Sequence, residues 1–283
     1  MIRMMEQAIY AFCIDAAPIS CAPHGGGHIN HTFKVVTESG MEYILQRVNQ
    51  YVFHDPKSLM ENVGAVTAFL KERVDDPRAY LHFIKTKDDL YYYVDEKGEY
   101  WRCYEFVGGF CLEAPETDQD FYESALAFGQ FQQMLSDFPA HTLHETIPEF
   151  HNTIDRYRKF KEAVARDEAG RAAEVQPEID FIMRKAGQLP LRVTHNDTKL
   201  NNVLLDKKTR KALCVLDLDT VMPGLSLYDF GDSIRFGAAS APEDEKDLSK
   251  MGLNLHLFEI YTKGYLKACP SLTPEEIDMM PMG

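Results

Sequence analysis

Apolar and polar positions alternate through much of the first 107 residues and recur at helical spacing after Asp120. The first pattern predicts strands, whose side chains alternate between faces, and the second predicts helices with one buried stripe. Residues 2–14 are an early exception, spaced as a short amphipathic helix. Residues 32–36 and 42–48 read as a hairpin about Glu38-Ser39-Gly40, and the loop Gly25-Gly26-Gly27 feeds into it. A helix is expected from Asp55-Pro56 to Lys71, then strands over 80–85, 90–94 and 100–107. Trp101, Tyr104 and Phe106 read as sheet core, and the whole segment as a five-stranded antiparallel sheet with one helix. Downstream, Phe121, Ala125, Phe128, Phe131, Gln132 and Leu135 form one helical stripe. Residues 150–186 read as charged helix, 191–194 as a short strand, 202–205 and 213–218 as strands about a turn, and 228–236 and 244–267 as helices. The sum is an α+β fold of two lobes, a β-rich one over 1–107 and an α-rich one over 108–283. Gly108-Gly109 suits a hinge, and the cleft between the lobes is the default ligand site.

Composition changes this picture little. With 45% apolar and 26% charged residues, the chain has ample material for a core. A net charge of −14 argues against a nucleic-acid or anionic-membrane partner. It does not exclude a nucleotide, because a metal ion and backbone N–H groups can outweigh an acidic global field. The six cysteines form no Cys-x-x-Cys and none has a zinc-ligand spacing to a histidine, so reduced thiols and a cytoplasmic location are expected. No leader is visible over residues 1–10, and no apolar run approaches the ~20 residues of a membrane helix.

The chemistry is concentrated at His195-Asn196-Asp197-Thr198-Lys199-Leu200-Asn201-Asn202, followed by Val215-Leu216-Asp217-Leu218-Asp219. This is His-x-Asp-x-x-x-x-Asn and then an aspartate ending an apolar strand, the set that kinase-like phosphotransfer requires. Asp197 is the candidate catalytic base, a carboxylate that orients an attacking hydroxyl and takes its proton. Asn202 and Asp217 offer the oxygen ligands that Mg²⁺ prefers while ATP supplies phosphate oxygens. Asp219 is either a second metal ligand or a residue that holds the loop. His195 and Asp229 are expected to fix the loop, and the tripeptide Asp229-Phe230-Gly231 lies too far downstream to hold the metal. Gly25, Gly26 and Gly27 can bring backbone N–H groups close to phosphates, with His28 and Asn30 adding contacts. No lysine occupies the second hairpin strand; Gln46 or Arg47 would meet the phosphates instead, with Glu61 as a partner for Arg47. The backbone of Glu105 through Val107 is placed to bond an adenine edge.

These residues resemble the aminoglycoside phosphotransferase and choline kinase superfamily, which implies the two-lobed protein-kinase-like fold. More narrowly, Gly26-Gly27-His28-Ile29-Asn30, Tyr43-Ile44-Leu45-Gln46, the Thr194 to Asn202 stretch, Asp217-Leu218-Asp219-Thr220 and Asp229-Phe230-Gly231-Asp232 resemble the N-acetylhexosamine 1-kinase family. That resemblance implies transfer from ATP to the anomeric hydroxyl of N-acetylglucosamine or N-acetylgalactosamine, and glutamine at Gln46 fits it. Family members continue with further helices, so the resemblance implies a helical lobe cut short at Gly283, with self-association through the apolar surface this exposes. Kinases of choline, homoserine or aminoglycosides are the alternative, as is a chain that binds Mg-ATP without turnover.

Overall fold

In a computed structural model, residues 2–25, 29–185, 189–241 and 245–283 are described. Helix α1 (Ile2–Ala11) leads into β1 (Pro18–Pro23), β2 (His31–Thr37) and β3 (Glu42–Arg47). Helix α2 (Pro56–Lys71), β4 (Phe83–Ile84), β5 (Tyr93–Val94) and β6 (Tyr100–Glu105) follow. The strands form one antiparallel sheet in the order β1-β2-β3-β6-β4, with β5 also on β6. The sheet has six strands where five were expected. The extra one, β1, is an edge strand that is almost wholly exposed and has proline at both ends, so burial leaves no alternation in it to read.

The two faces of the sheet have different jobs. Phe33, Val35, Tyr43, Leu45, Trp101 and Cys103 face α1 and pack with its Ala8 and Ile9. The other face looks towards α2 and the helical lobe. Asp55 caps α2 by accepting the N–H of Ser58, Pro56 opens its first turn, and Leu59, Met60, Val63, Val66 and Leu70 are buried. That core is continuous with the one in the helical lobe.

The helical lobe holds α3 (Asp118–Met134), α4 (Thr153–Arg166), α5 (Gln176–Lys185), α6 (Ser226–Gly237), α7 (Leu255–Ala268) and α8 (Pro274–Met279). Strand β7 (Arg192–Thr194) pairs with β10 (Met222–Gly224), and β8 (Val203–Leu205) with β9 (Ala212–Val215). All six residues of the expected α3 stripe are buried. Helix α7 crosses α3 closely at Gly264, where an added Cβ would sit 2.8 Å from that of Ala125. The single helix expected over 150–186 is two, broken where Asp167 turns left-handed at φ 39°. Of the helix expected over 244–267, Asp244 lies outside the described residues, and α7 starts at Leu255, where the Asn254 side chain accepts the N–H groups of His256 and Leu257. Among the described residues, no helix is long and apolar enough to cross a membrane.

Helix α8 is tied to the site's foundation. Glu276 is fully buried and accepts from Arg192 Nε at 2.5 Å, Arg192 Nη2 at 2.7 Å and Ser226 Oγ at 2.7 Å. Burial pushes its pKa up, but the bonds from Arg192, Thr273 and Ser226 outweigh burial and leave it below the usual glutamate value. A depressed carboxylate stabilises the fold above its unfolded pKa and loses that contribution as pH falls through the folded value. Glu276→Gln is therefore expected to cost ~3 kcal/mol at pH 7 by leaving Arg192 unpaired. The gap to the parent should shrink in urea titrations run below about pH 4. A gap that stays constant with pH would show that the ionised pair is not its source.

Candidate active site

The loop that carries Asp197 leaves β7 at Thr194 and is held from beneath by α6. Asp229 of α6 is fully buried and accepts the N–H of His195 at 2.9 Å, the N–H of Asn196 at 2.8 Å and Gln132 Nε2 at 2.7 Å. Burial pushes its pKa up; these donors act against that. Asp232, one turn on, accepts the N–H of Thr198 at 2.7 Å, and Ser233 donates to the Thr198 carbonyl at 2.9 Å. His195 is buried between Phe128 and Phe131. Its Nδ1 accepts the N–H of Asp197 at 3.3 Å and its Nε2 lies 2.8 Å from the Leu216 carbonyl, which assigns the neutral Nε2–H tautomer. Neither His195 nor Asp229 reaches the cleft. Both hold Asn196 in its left-handed conformation at φ 65°, which aims the next residue, Asp197, outward.

Asp197 is partly exposed and ordered by neighbours on both sides. Asn202 Nδ2 donates to its carbonyl at 2.8 Å and to its carboxylate at 3.0 Å, and Lys199 Nζ lies 3.2 Å from its other oxygen. Both of these Asn202 bonds use the amide NH₂, so its Oδ1 remains the hard donor. The Asn202 carbonyl accepts the N–H of Leu216 at 2.8 Å, which brings the end of β9 against the catalytic loop. Asp217 follows in the left-handed region at φ 53° and opens a short 3-10 turn, Leu218–Thr220. Desolvation in the cleft and the neighbouring Asp219 carboxylate push the Asp217 pKa up to about 6, against the opposing pull of Arg102. Asp197 has Lys199 and Asp219 has Arg102, which leaves Asp217, exposed at the cleft, as the carboxylate of the three whose charge calls for a cation. That donor set, one ionisable carboxylate and one amide oxygen beside an accessible cleft, fits a hard divalent ion such as Mg²⁺.

Asp219 lies near Asp217, but both of its oxygens are engaged elsewhere. The turn carries it to the sheet, where Arg102 Nη1 pairs with one oxygen and Asn30 Nδ2 donates to the other at 2.7 Å. Of the two readings open for Asp219, holding the segment is the one its bonds describe. Arg102 Nε donates to Gln46 Oε1 at 2.9 Å, and Gln46 Nε2 to Thr32 Oγ1 at 2.9 Å. In register, Gln46 lies opposite Arg102, whereas Arg47 lies opposite Trp101 on the α1-covered face and pairs with Glu99 at 3.6 Å. Arg47 is thus not brought to the site. Glu61 pairs not with it but with His144 Nε2 at 2.8 Å and Lys57 at 3.9 Å. Arg102 and Lys199 are the site residues that reading the sequence missed. Lys199 lay in plain view two residues after Asp197; Arg102 needed the register of strands that lie far apart in the chain.

Gly25 is left-handed at φ 75° before the hairpin, and the His24 N–H closes the loop on the Thr32 carbonyl at 3.0 Å. Gly26, Gly27 and His28 lie outside the described residues. At the hinge, the N–H groups of Glu105 and Phe106 are taken by the carbonyls of His82 and Glu42. Among the described residues this leaves the Glu105 carbonyl and the Val107 N–H as the groups an adenine edge could use. Phe110 then exchanges two backbone bonds with Leu205, and a Cβ on Gly109 would sit 2.5 Å from Leu204 Cγ, so the hinge lies tight against β8.

A family model described as the phosphotransferase enzyme family matches residues 20–255. Among solved structures, a microcompartment-associated aminopropanol kinase is 20% identical with a TM-score of 0.64, over 99% of this chain and 85% of that one. An amicoumacin kinase in complex with AMP-PNP and Ca²⁺ is 11% identical with a TM-score of 0.65, over 99% and 83%. An aminoglycoside phosphotransferase from Alicyclobacillus acidocaldarius is 12% identical with a TM-score of 0.59, over 98% and 81%. At these identities the likeness shows a shared protein-kinase-like fold, a sheet lobe joined to a helical lobe.

Proposed function

The chain belongs to the phosphotransferase enzyme family, and from that premise we propose that it transfers the γ-phosphoryl group of ATP to a hydroxyl of a small alcohol. The observation that carries this reading is the convergence of Asp197, Asn202 and Asp217 at one edge of the cleft between the 1–107 and 108–283 lobes. Asp197 orients the acceptor hydroxyl and takes its proton as the new P–O bond forms; the γ-phosphorus–oxygen bond to ADP breaks on the far side. Asn202 and Asp217 hold Mg²⁺, which when bound neutralises charge on the phosphate oxygens. The Gly25 backbone meets the phosphates, and the Glu105 carbonyl and Val107 N–H take the adenine edge.

For the acceptor we propose an N-acetylhexosamine, phosphorylated at its anomeric hydroxyl, on the resemblance of the motifs around Asp197, Asp217 and Asp229. The net charge of −14 favours a second reading, a cationic amino alcohol, and an aminopropanol kinase is among the proteins of the same fold. ³¹P NMR of the chain with ATP, Mg²⁺ and either N-acetylgalactosamine, N-acetylglucosamine, choline, homoserine or aminopropanol separates them. An anomeric phosphate signal is expected with the sugars. Product from an amino alcohol alone would overturn the sugar assignment, and ADP formation with none of them would overturn the alcohol-kinase reading.

A further inference from the structure

The charge network on the sheet side of the cleft has a second consequence for the metal segment. Asp217 is not glycine, yet it sits in the left-handed region, and a conformation of that kind persists only where the surroundings over-determine it. The far end of its turn is pinned to the catalytic loop: Thr220 Oγ1 donates to the His195 carbonyl at 2.5 Å and Asn196 Nδ2 to the Thr220 carbonyl at 2.9 Å. The near end is pinned by Asp219, through Arg102 and Asn30, to the sheet. Arg102 is itself fixed: its Nε is held by Gln46, which Thr32 holds in turn, and its side chain is almost wholly buried. A guanidinium held at two of its nitrogens is a rigid fork, which an ammonium on a flexible stem is not.

We propose that Arg102 is a positioning residue of the metal site: by gripping Asp219 from β6 it locks the Leu218–Thr220 turn and presents Asp217 to the cation of the nucleotide complex. This rests on the phosphotransfer reading above. It makes Asp219 the handle of the segment rather than a second ligand, and it ties the exit of the glycine loop, through Asn30, to the same handle.

The test is isothermal titration of ATP, with Mg²⁺ and with chelator, on the parent and two variants. Removing Arg102 alone would strand a buried Asp219, so the first variant removes both charges, Arg102→Met with Asp219→Leu; buried pairs replaced this way commonly keep their stability. It should melt cooperatively and bind metal-free ATP within about threefold of the parent, while the tightening of ATP by Mg²⁺ falls at least tenfold. The second, Arg102→Lys, keeps the charge and loses the fork, and should lose much of the same tightening. Full tightening in the double variant would mean that Arg102 only neutralises Asp219, and full tightening in Arg102→Lys would mean that its geometry is irrelevant; either overturns the proposal. If the double variant does not fold, Arg102→Lys decides alone. A parent whose ATP affinity ignores Mg²⁺ would instead overturn the phosphotransfer reading of the site, and this inference with it.

Discussion

Asp197→Asn is expected to fold like the parent and to lose between about 10² and 10⁴ of its turnover, the usual contribution of a positioned general base. The side chain is partly exposed and its ion pair with Lys199 is half in solvent, so losing the charge should cost no more than ~1 kcal/mol. Asparagine keeps the shape, and its oxygen can still accept from Asn202 Nδ2, which now bridges to the aspartate at 3.0 Å. Its amide nitrogen would then face Lys199, so the side chain has no oxygen left to accept the proton of a hydroxyl. The proposed metal-binding pair Asn202 and Asp217 is untouched, and the KM for ATP should change little. A fall in turnover with ATP affinity preserved is the signature of an interaction made only in the transition state. Steady-state kinetics with urea unfolding as a control provides the check. Turnover within tenfold of the parent would remove Asp197 from its role and leave the loop without a base.

Much of the site could be read from the chain because its groups are close in sequence. Asp197 and Asn202 sit in one loop, and Asp217 ends the strand whose next residues fold back against that loop. The α3 stripe was readable for the same reason, since helical period is local. What stayed hidden depends on contacts between distant segments. Whether Gln46 or Arg47 faces the cleft follows from which side α1 covers, and α1 shares no local pattern with β3. Arg102 alternates with aromatic neighbours as any strand residue would, and only its register opposite Gln46 places it beside Asp219. The fate of Asp219 turned on one backbone angle: an extended strand would have put it on Asp217's face, and the left-handed Asp217 sends it to the sheet. An edge strand such as β1, and a helix break such as Asp167, bury nothing that would mark them.

The second large effect is expected at a residue that touches neither phosphate nor acceptor. Asp229→Ala removes the shared acceptor of the His195 and Asn196 N–H groups and of one Gln132 N–H, all buried. Each buried donor left unpaired costs ~1–3 kcal/mol, so the variant should lose about 3 kcal/mol or more of stability in urea titration. Gln132 keeps its bond to the Val193 carbonyl at 2.9 Å and suffers least. The two loop N–H groups have no such alternative, and they hold Asn196 in its left-handed conformation. When that conformation relaxes, Asp197 swings with it, and a displacement of ~1 Å at the reacting centre costs roughly a hundredfold in rate. Asp229→Asn should be milder in stability, ~1–3 kcal/mol, because one oxygen remains while an NH₂ group opposes one of the two N–H groups. It should still lose turnover, since one of those two N–H groups loses its acceptor either way. Unlike Asp197→Asn, both variants should therefore lose stability and turnover together. Stability lost with turnover intact in the folded fraction would separate Asp229 from the aiming of Asp197 and leave it only a core acceptor.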